Sequence, residues 1–301
     1  MELVSLFAVP NFDQFILSIA RECAWLLLIL VVFWPLERLF AVHRQKLFRK
    51  GLAQDIGYFF ISGLIPPLLL AFPLFMVAVA AYWTMPWRYQ TAIAAWPLWQ
   101  RIVAGFVIGE VGFYWGHRLM HRIPFLWRFH SIHHAPEHVY FLTSAHAHPL
   151  DNVFIRLCGL VPACILGVAS PLAGGTTAAL IVIVATTWGF FIHSNVRWRL
   201  GPLEWLIATP AFHHWHHTKS GLRDRNFASM LPIMDMIFGT YHNPRHERPP
   251  AYGIDTELPD SLVRQLLYPL LPEQTSNKLP QSRNSGTNNP ERGRAGRVQI
   301  G

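Results

Sequence analysis

Thirteen of the sixteen histidines in this chain lie between His117 and His217, at spacings suited to metal binding. His117 and His121 are four apart, His130, His133 and His134 read H-x-x-H-H, and His213, His216 and His217 repeat that pattern. Positions i, i+3 and i+4 share one face of a helix, so each group can present converging imidazoles. The adjacent pair His133 and His134 projects about 100° apart on a helix, which lets one segment serve two metals. His193 ends an apolar run in "FFIHSN" and is expected to reach the same place. Nine imidazoles exceed the four ligands of one tetrahedral zinc site. They suit two metals of four to five protein ligands each, with positions left for oxygen species. Imidazole binds iron, zinc, copper and nickel alike, but zinc has no redox chemistry. A many-ligand, redox-capable site facing a bilayer, where the substrate would be an unactivated hydrocarbon, favours two iron ions with O2 as co-substrate, and zinc is able to substitute in a purified preparation.

Around these nine, His148 and His214 are candidates for additional ligands or for orienting ones. Metal-bound imidazoles commonly donate their other N–H to a carboxylate or carbonyl, which brings in Asp151, Glu204, Asp224 and Asp235. His146 belongs to the same "SAHAHPLD" stretch as His148, while His43, His242 and His246 fall outside the clusters and are expected to be solvated. Thr209 and Pro210 suit the N-cap and first position of a helix carrying the last cluster. Pro124 and Pro136 bracket the helix carrying the second. No catalytic side chain beyond the metal centre is assigned.

The elements that must position these residues read as membrane helices. Hydrophobic residues make up 52% of the 301 and charged residues only 14%, against about 25% charged in soluble domains. The expected fold is an all-α integral membrane protein of four or five hydrophobic helical segments with a cytoplasmic histidine-rich helical cap. The segments are residues 16–36, 56–84, 102–119, 153–170 and 176–192. Pro66, Pro67 and Pro73 leave open whether residues 56–84 cross once or form a hairpin. The net charge of +8 gathers beside apolar runs, at Arg44, Lys46, Arg49 and Lys50 for example, which speaks for a cytoplasmic membrane flank and against nucleic acid. The N-terminus lacks the marks of a signal peptide. Residues 1–271 are expected to form the membrane-embedded oxidase domain. Within it, "DSLVRQLLYPL" at 260–270 is an amphipathic piece that lies on the membrane or docks on the domain. Residues 272–301 are expected to be a disordered basic tail. Cys23, Cys158 and Cys164 offer neither a disulfide framework nor a zinc site and are read as small buried hydrophobes.

The His117-Arg-Leu-Met-His121, His130-x-x-His133-His134 and His213-x-x-His216-His217 motifs, in this order, resemble the three histidine boxes of the fatty acid hydroxylase and sterol desaturase superfamily. "HPLD" at 148–151, "IHSN" at 192–195, "DRNF" at 224–227 and "MDMIFGT" at 234–240 look like further stretches of that family. The resemblance implies a non-haem diiron centre, with the box histidines as ligands and His193 as the additional ligand. It also implies a hydrophobic lipid substrate and a separate electron donor, such as a cytochrome b5-like protein or a ferredoxin with its reductase. The expected reaction is hydroxylation of a lipid C–H bond using O2, in a protein of the bacterial inner membrane with its histidines on the cytoplasmic side. Desaturation of a sterol or acyl lipid by the same centre is the alternative. A metal-dependent hydrolase or a non-enzymatic metal-binding membrane protein is the reading from outside redox chemistry.

Overall fold

The computed structural model describes residues 12–46, 48–169, 176–219 and 221–271. The chain divides into residues 1–269 and 270–301, and the elements below belong to the first of these. The N-terminal residues 1–11, the "SPLAGG" connection at 170–175 and the expected tail at 272–301 lie outside the described residues.

Each apolar segment becomes a helix. They are α1 (Phe12–Phe40), α2 (Leu52–Thr84), α4 (Leu98–Arg122), α6 (Pro149–Ile165) and α7 (Thr176–His193). Between them stand α3 (Trp87–Ala94), α5 (Pro124–His134), α8 (Pro210–His216), α9 (Ile233–Ile237) and α10 (Leu262–Leu267), and no strand forms among the described residues. Three helices, α1, α2 and α7, are long and apolar enough to cross a membrane, and a fourth candidate is the α3–α4 pair, bent by 112°. Helix α6, at 17 residues, is shorter and packs against α2 and α4.

The proline question in the second segment resolves as one continuous 33-residue helix that retains Pro66, Pro67 and Pro73. At 1.5 Å per residue it runs about 50 Å, longer than the roughly 30 Å hydrocarbon core. Large apolar side chains such as Leu27, Val31, Leu68 and Phe72 remain exposed along α1 and α2, as lipid-facing residues would. Trp83, Trp87 and Trp99 are exposed around the α2–α3–α4 corner, where indole rings suit a membrane interface. Cys164 is buried but Cys23 is exposed on α1, so the reading of Cys23 as a buried hydrophobe is corrected: it sits on the outer surface of an apolar helix.

Helices α4 and α6 approach closely because glycine lines their contact. A Cβ on Gly112 would fall 1.9 Å from the carbonyl oxygen of Cys158, and one on Gly159 would fall 3.2 Å from that of Gly109. Small residues let backbones meet in this way where no hydrophobic effect drives helices together. The contact fixes α4, which carries the first histidine pair, against α6, which carries Asp151. The aromatic cluster of Phe33, Phe59, Phe141 and Phe190 ties α1, α2 and α7 together. The 260–270 piece docks on the domain: Leu262 packs on Gly57 of α2, and Gln265 accepts from the Tyr58 hydroxyl at 3.1 Å.

Candidate metal centre

Four helix ends deliver the histidines. His117 and His121 occupy the last two turns of α4, and Pro124 at the first position of α5 restarts the chain so that His130, His133 and His134 face them. His193 is the last residue of α7. Thr209 caps α8, its hydroxyl accepting from the Phe212 N–H, and that helix carries His213 and His216, with His217 as its C-cap.

The nine imidazoles form two groups. His117, His121, His130, His134 and His216 make one, and His133, His193, His213 and His217 the other, with the ligand atoms in each group within 4.8 Å of one another. Adjacent histidines separate as helical geometry requires: His133 goes to one group and His134 to the other, and His216 and His217 divide likewise.

The outer nitrogens decide what the inner ones present. A carbonyl oxygen only accepts, so the Nδ1 atoms of His117, His133, His193 and His216 must carry their protons. They donate to Phe227 O at 2.7 Å, His146 O at 3.2 Å, Gly189 O at 2.7 Å and Arg225 O at 2.8 Å. Each corresponding Nε2 then offers a lone pair. His193 Nε2 lies 3.2 Å from His133 Nε2, 3.0 Å from His213 Nε2 and 3.1 Å from His217 Nε2. In the other group, His130 Nε2 lies 3.1 Å from the Nε2 atoms of both His117 and His134. The buried Nε2 atoms of His121 and His216 have no hydrogen-bond partner.

Protonation does not relieve this crowding. Burial pushes His130 down to about 3. His133, His134, His213, His216 and His217 are held well below the usual histidine range by burial and by neighbouring imidazoles. Neutral imidazoles with converging lone pairs are the state that binds a cation. The donor set fits two such ions.

A four-residue segment orients three members of the first group. Asp224 Oδ1 accepts from His121 Nδ1 at 3.0 Å, Arg225 O accepts from His216, and Phe227 O accepts from His117. Between them Asn226 takes a left-handed conformation at φ 56, which asparagine tolerates better than most residues. Its amide locks the turn to Phe212 O and His242 O at 2.7 and 2.6 Å. Asp235 acts one step behind, accepting from the N–H groups of Phe227 and Ala228 at 2.8 Å each. His130 Nδ1 meets Asp151 Oδ1 at 2.9 Å.

The remaining candidates stand outside the groups. His148 caps α6, accepting from Leu150 N–H, and its Nε2 meets Leu266 O at 3.1 Å. His214 pairs with Tyr252. Glu204 accepts from Leu200 N–H and the Asn243 amide, and no hydrogen bond joins it to a histidine among the described residues. His43 and His246 are exposed as expected. The reading of His242 as solvated is corrected: it is half-buried with its ring against Trp215 at 4.7 Å.

Two supporting acids carry no signal in the histidine spacing. Asp55, near the start of α2, meets His146 Nδ1 and accepts from the Tyr140 hydroxyl, both at 2.6 Å, and so fixes the residue whose carbonyl holds His133. Glu110 on α4 accepts from Ser229, Met230 and Leu231, anchoring the loop that follows the 224–227 segment. A carboxylate within the apolar run of residues 102–119 was the available clue for Glu110, because such groups are expensive in a membrane helix unless partnered, whereas Asp55 stands one residue ahead of the 56–84 run and gave no such clue.

Below the histidines a cavity of about 220 Å³ runs between α4, α6 and α7, lined by Phe106, Phe113, Leu160, Ile181 and Ala185 and reaching His117, His133 and His193. Its wall is mostly apolar.

An all-helical bundle with helices apolar enough to cross a membrane, a mostly apolar cavity and nine convergent histidines defines a membrane-type fold built around a candidate metal site. Residues 102–240, a little under half of the chain, match the protein family described as fatty acid hydroxylase and form a domain of that family. The chain is 32% identical over 207 residues to an ornithine lipid hydroxylase, OlsE, of Rhizobium tropici, covering 66% of this chain and 59% of the relative. It is 29% identical over 160 residues to human alkylglycerol monooxygenase, covering 53% and 32% respectively. It is also 27% identical over 169 residues to methylsterol monooxygenase 2-2 of Arabidopsis thaliana, covering 56% and 62%. The chain thus spans between about a third and three fifths of these relatives. No solved structure matches it.

Proposed function

We propose that this protein is a membrane lipid hydroxylase that uses O2 and externally supplied electrons at a diiron centre. The observation that carries the reading is the set of buried, neutral imidazoles whose lone pairs face one another across 3.0–3.2 Å. His117, His121, His130, His134 and His216 would hold one ion, and His133, His193, His213 and His217 the other. Two bound iron ions would supply the reduction of O2 and the oxidation of a C–H bond. The relatives named above, an ornithine lipid hydroxylase and two monooxygenases, support hydroxylation of a lipid.

The chain's own residues do the rest. The cavity beneath the histidines excludes water and accepts an alkyl segment, with Phe113 and Ile181 at its wall. Asp151, Asp224 and the carbonyls of Phe227 and Arg225 keep the imidazole rings oriented with their protons on Nδ1. Electrons come from a separate cytochrome b5-like or ferredoxin-type donor. The basic flank at residues 44–50 supports placing the histidines on the cytoplasmic side of a bacterial inner membrane.

The test is lipid analysis of cells with and without the protein under isotopically labelled O2, joined to metal analysis of protein purified without oxygen. Two irons per chain and a lipid carrying one labelled oxygen atom are expected. Loss of two hydrogens without label would make it a desaturase, and an unchanged lipid profile would sink the oxygenase reading.

A further inference from the structure

A second pocket, of about 330 Å³, opens where the C-terminal end of α1 meets the N-terminal end of α2. It lies beside the histidine groups but does not share their lining: Asn195, two residues past His193, forms part of its wall and accepts from Val42 N–H through its carbonyl at 3.1 Å. The floor is apolar, formed by Leu30, Trp34 and Leu52, and the rim carries Arg38, Arg44, Lys46 and Arg49.

The acids nearby are already committed. Glu37 Oε1 accepts the N–H groups of Phe141 and Asn195 at 2.9 and 2.8 Å. Asp55 serves His146 and Tyr140, and it stands 3.9 Å from Arg49 Nη2, beyond hydrogen-bond reach. Arg49 Nη2 is buried without a hydrogen-bond partner, while the guanidinium lies 3.6 Å from the centre of the Tyr140 ring. Its Nη1 donates to Gln45 Oε1 at 3.4 Å, so it is the Nη2 edge of a cation held against an aromatic face, with only the Asp55 carboxylate at 3.9 Å, that is open to an anion from outside the protein. The N-terminal end of α2 adds its positive dipole.

We propose that this pocket binds the phosphate of an anionic membrane lipid, at a site separate from the cavity that reaches the histidines. The apolar floor at the end of a membrane helix takes the start of the acyl chains, and the four cations take the headgroup. Basic pockets between membrane helices recognise anionic headgroups in this way. The inference does not depend on the metal or on the oxygenase reading.

The experiment is native mass spectrometry of the full-length protein in dodecyl maltoside, titrated with dioleoylphosphatidylglycerol, dioleoylphosphatidylcholine or inorganic phosphate. Phosphatidylglycerol is expected to bind more tightly than phosphatidylcholine and to resist competition by inorganic phosphate. Arg44 and Lys46 have exposed side chains that the fold does not need. The double variant Arg44→Gln/Lys46→Gln should therefore weaken phosphatidylglycerol binding about thirtyfold. The control Arg122→Gln/Arg245→Gln, which removes two exposed cations elsewhere, should leave binding unchanged. Equal affinity for the two lipids, an unaltered Arg44/Lys46 variant, or equal loss in the control would overturn the site. Displacement by inorganic phosphate at matched concentration would assign the pocket to the free ion and overturn the lipid.

Discussion

His133 and His193 face each other through Nε2 atoms 3.2 Å apart, although each has given its proton away from the other, to His146 O and to Gly189 O. Two lone pairs at that distance repel, and a shared cation converts the repulsion into ligation. The first group is backed by the carboxylates of Asp151 and Asp224, whereas the second has only carbonyls behind it, and the Nδ1 atoms of His213 and His217 are unpartnered. Carboxylate partners raise ligand basicity. Stepwise chelation of the loaded protein should therefore remove one metal equivalent well before the other. The His213→Ala variant should retain about one equivalent, read by metal analysis. Simultaneous loss of both at every chelator concentration would contradict this asymmetry.

Removing a supporting carboxylate should act through its histidine. Asp151→Asn is expected to weaken metal affinity about 10–100-fold, because Asp151 is buried against His130. Asp224→Asn should cost less, since the Asp224 side chain is 52% exposed and water can replace it at His121. Competition with a metal indicator on the purified variants gives both values, and the ordering is the result to check.

Acid should destabilise the metal-free protein. The unfolded histidines titrate near 6.5, and His130 is held down at about 3 in the fold. The unfolded chain therefore binds more protons across that interval, and stability falls as pH drops from about 6.5 toward 3. Above pH 7 these groups are neutral in both states and stability should be flat on their account. Thermal unfolding of the metal-free protein in micelles, followed by circular dichroism across this range, measures the slope.

The glycines of α4 differ in what they permit. Gly112→Ala drives a Cβ to 1.9 Å from Cys158 O, so α4 and α6 must part, whereas Gly109→Ala meets nothing closer than 3.8 Å. The first should destabilise by about 1–3 kcal/mol. The second should be neutral or gain about 0.5–1 kcal/mol from helix propensity. Unfolding midpoints of the two variants decide it.

Blocking the cavity should separate binding from metal loading. Ala185 lines the cavity from α7, away from the histidines. Ala185→Phe is expected to abolish lipid oxidation with two metals retained. Full activity in that variant would place the substrate elsewhere.

The histidine spacings, read alone, carry the two-group arrangement, because a helix separates adjacent residues by about 100° wherever it occurs. His133 and His134 had to face different ways, and they do. The apolar segments were equally legible, because a bilayer demands a minimum apolar length. The helix start at Thr209 and Pro210 was legible for a local reason as well, since capping involves only neighbouring residues.

What only the tertiary structure decided is which distant group stands behind each imidazole. Asp224, Arg225 and Phe227 reach three histidines on two different helices because Asn226 turns the chain between them. Asp55 supports His133 from 78 positions away through His146. Glu204 and His148, plausible by type, were drawn to Asn243 and Leu266 instead. Hydrogen-bond partners follow from how the helices pack, and packing depends on contacts such as Gly112 against Cys158 that no local pattern encodes.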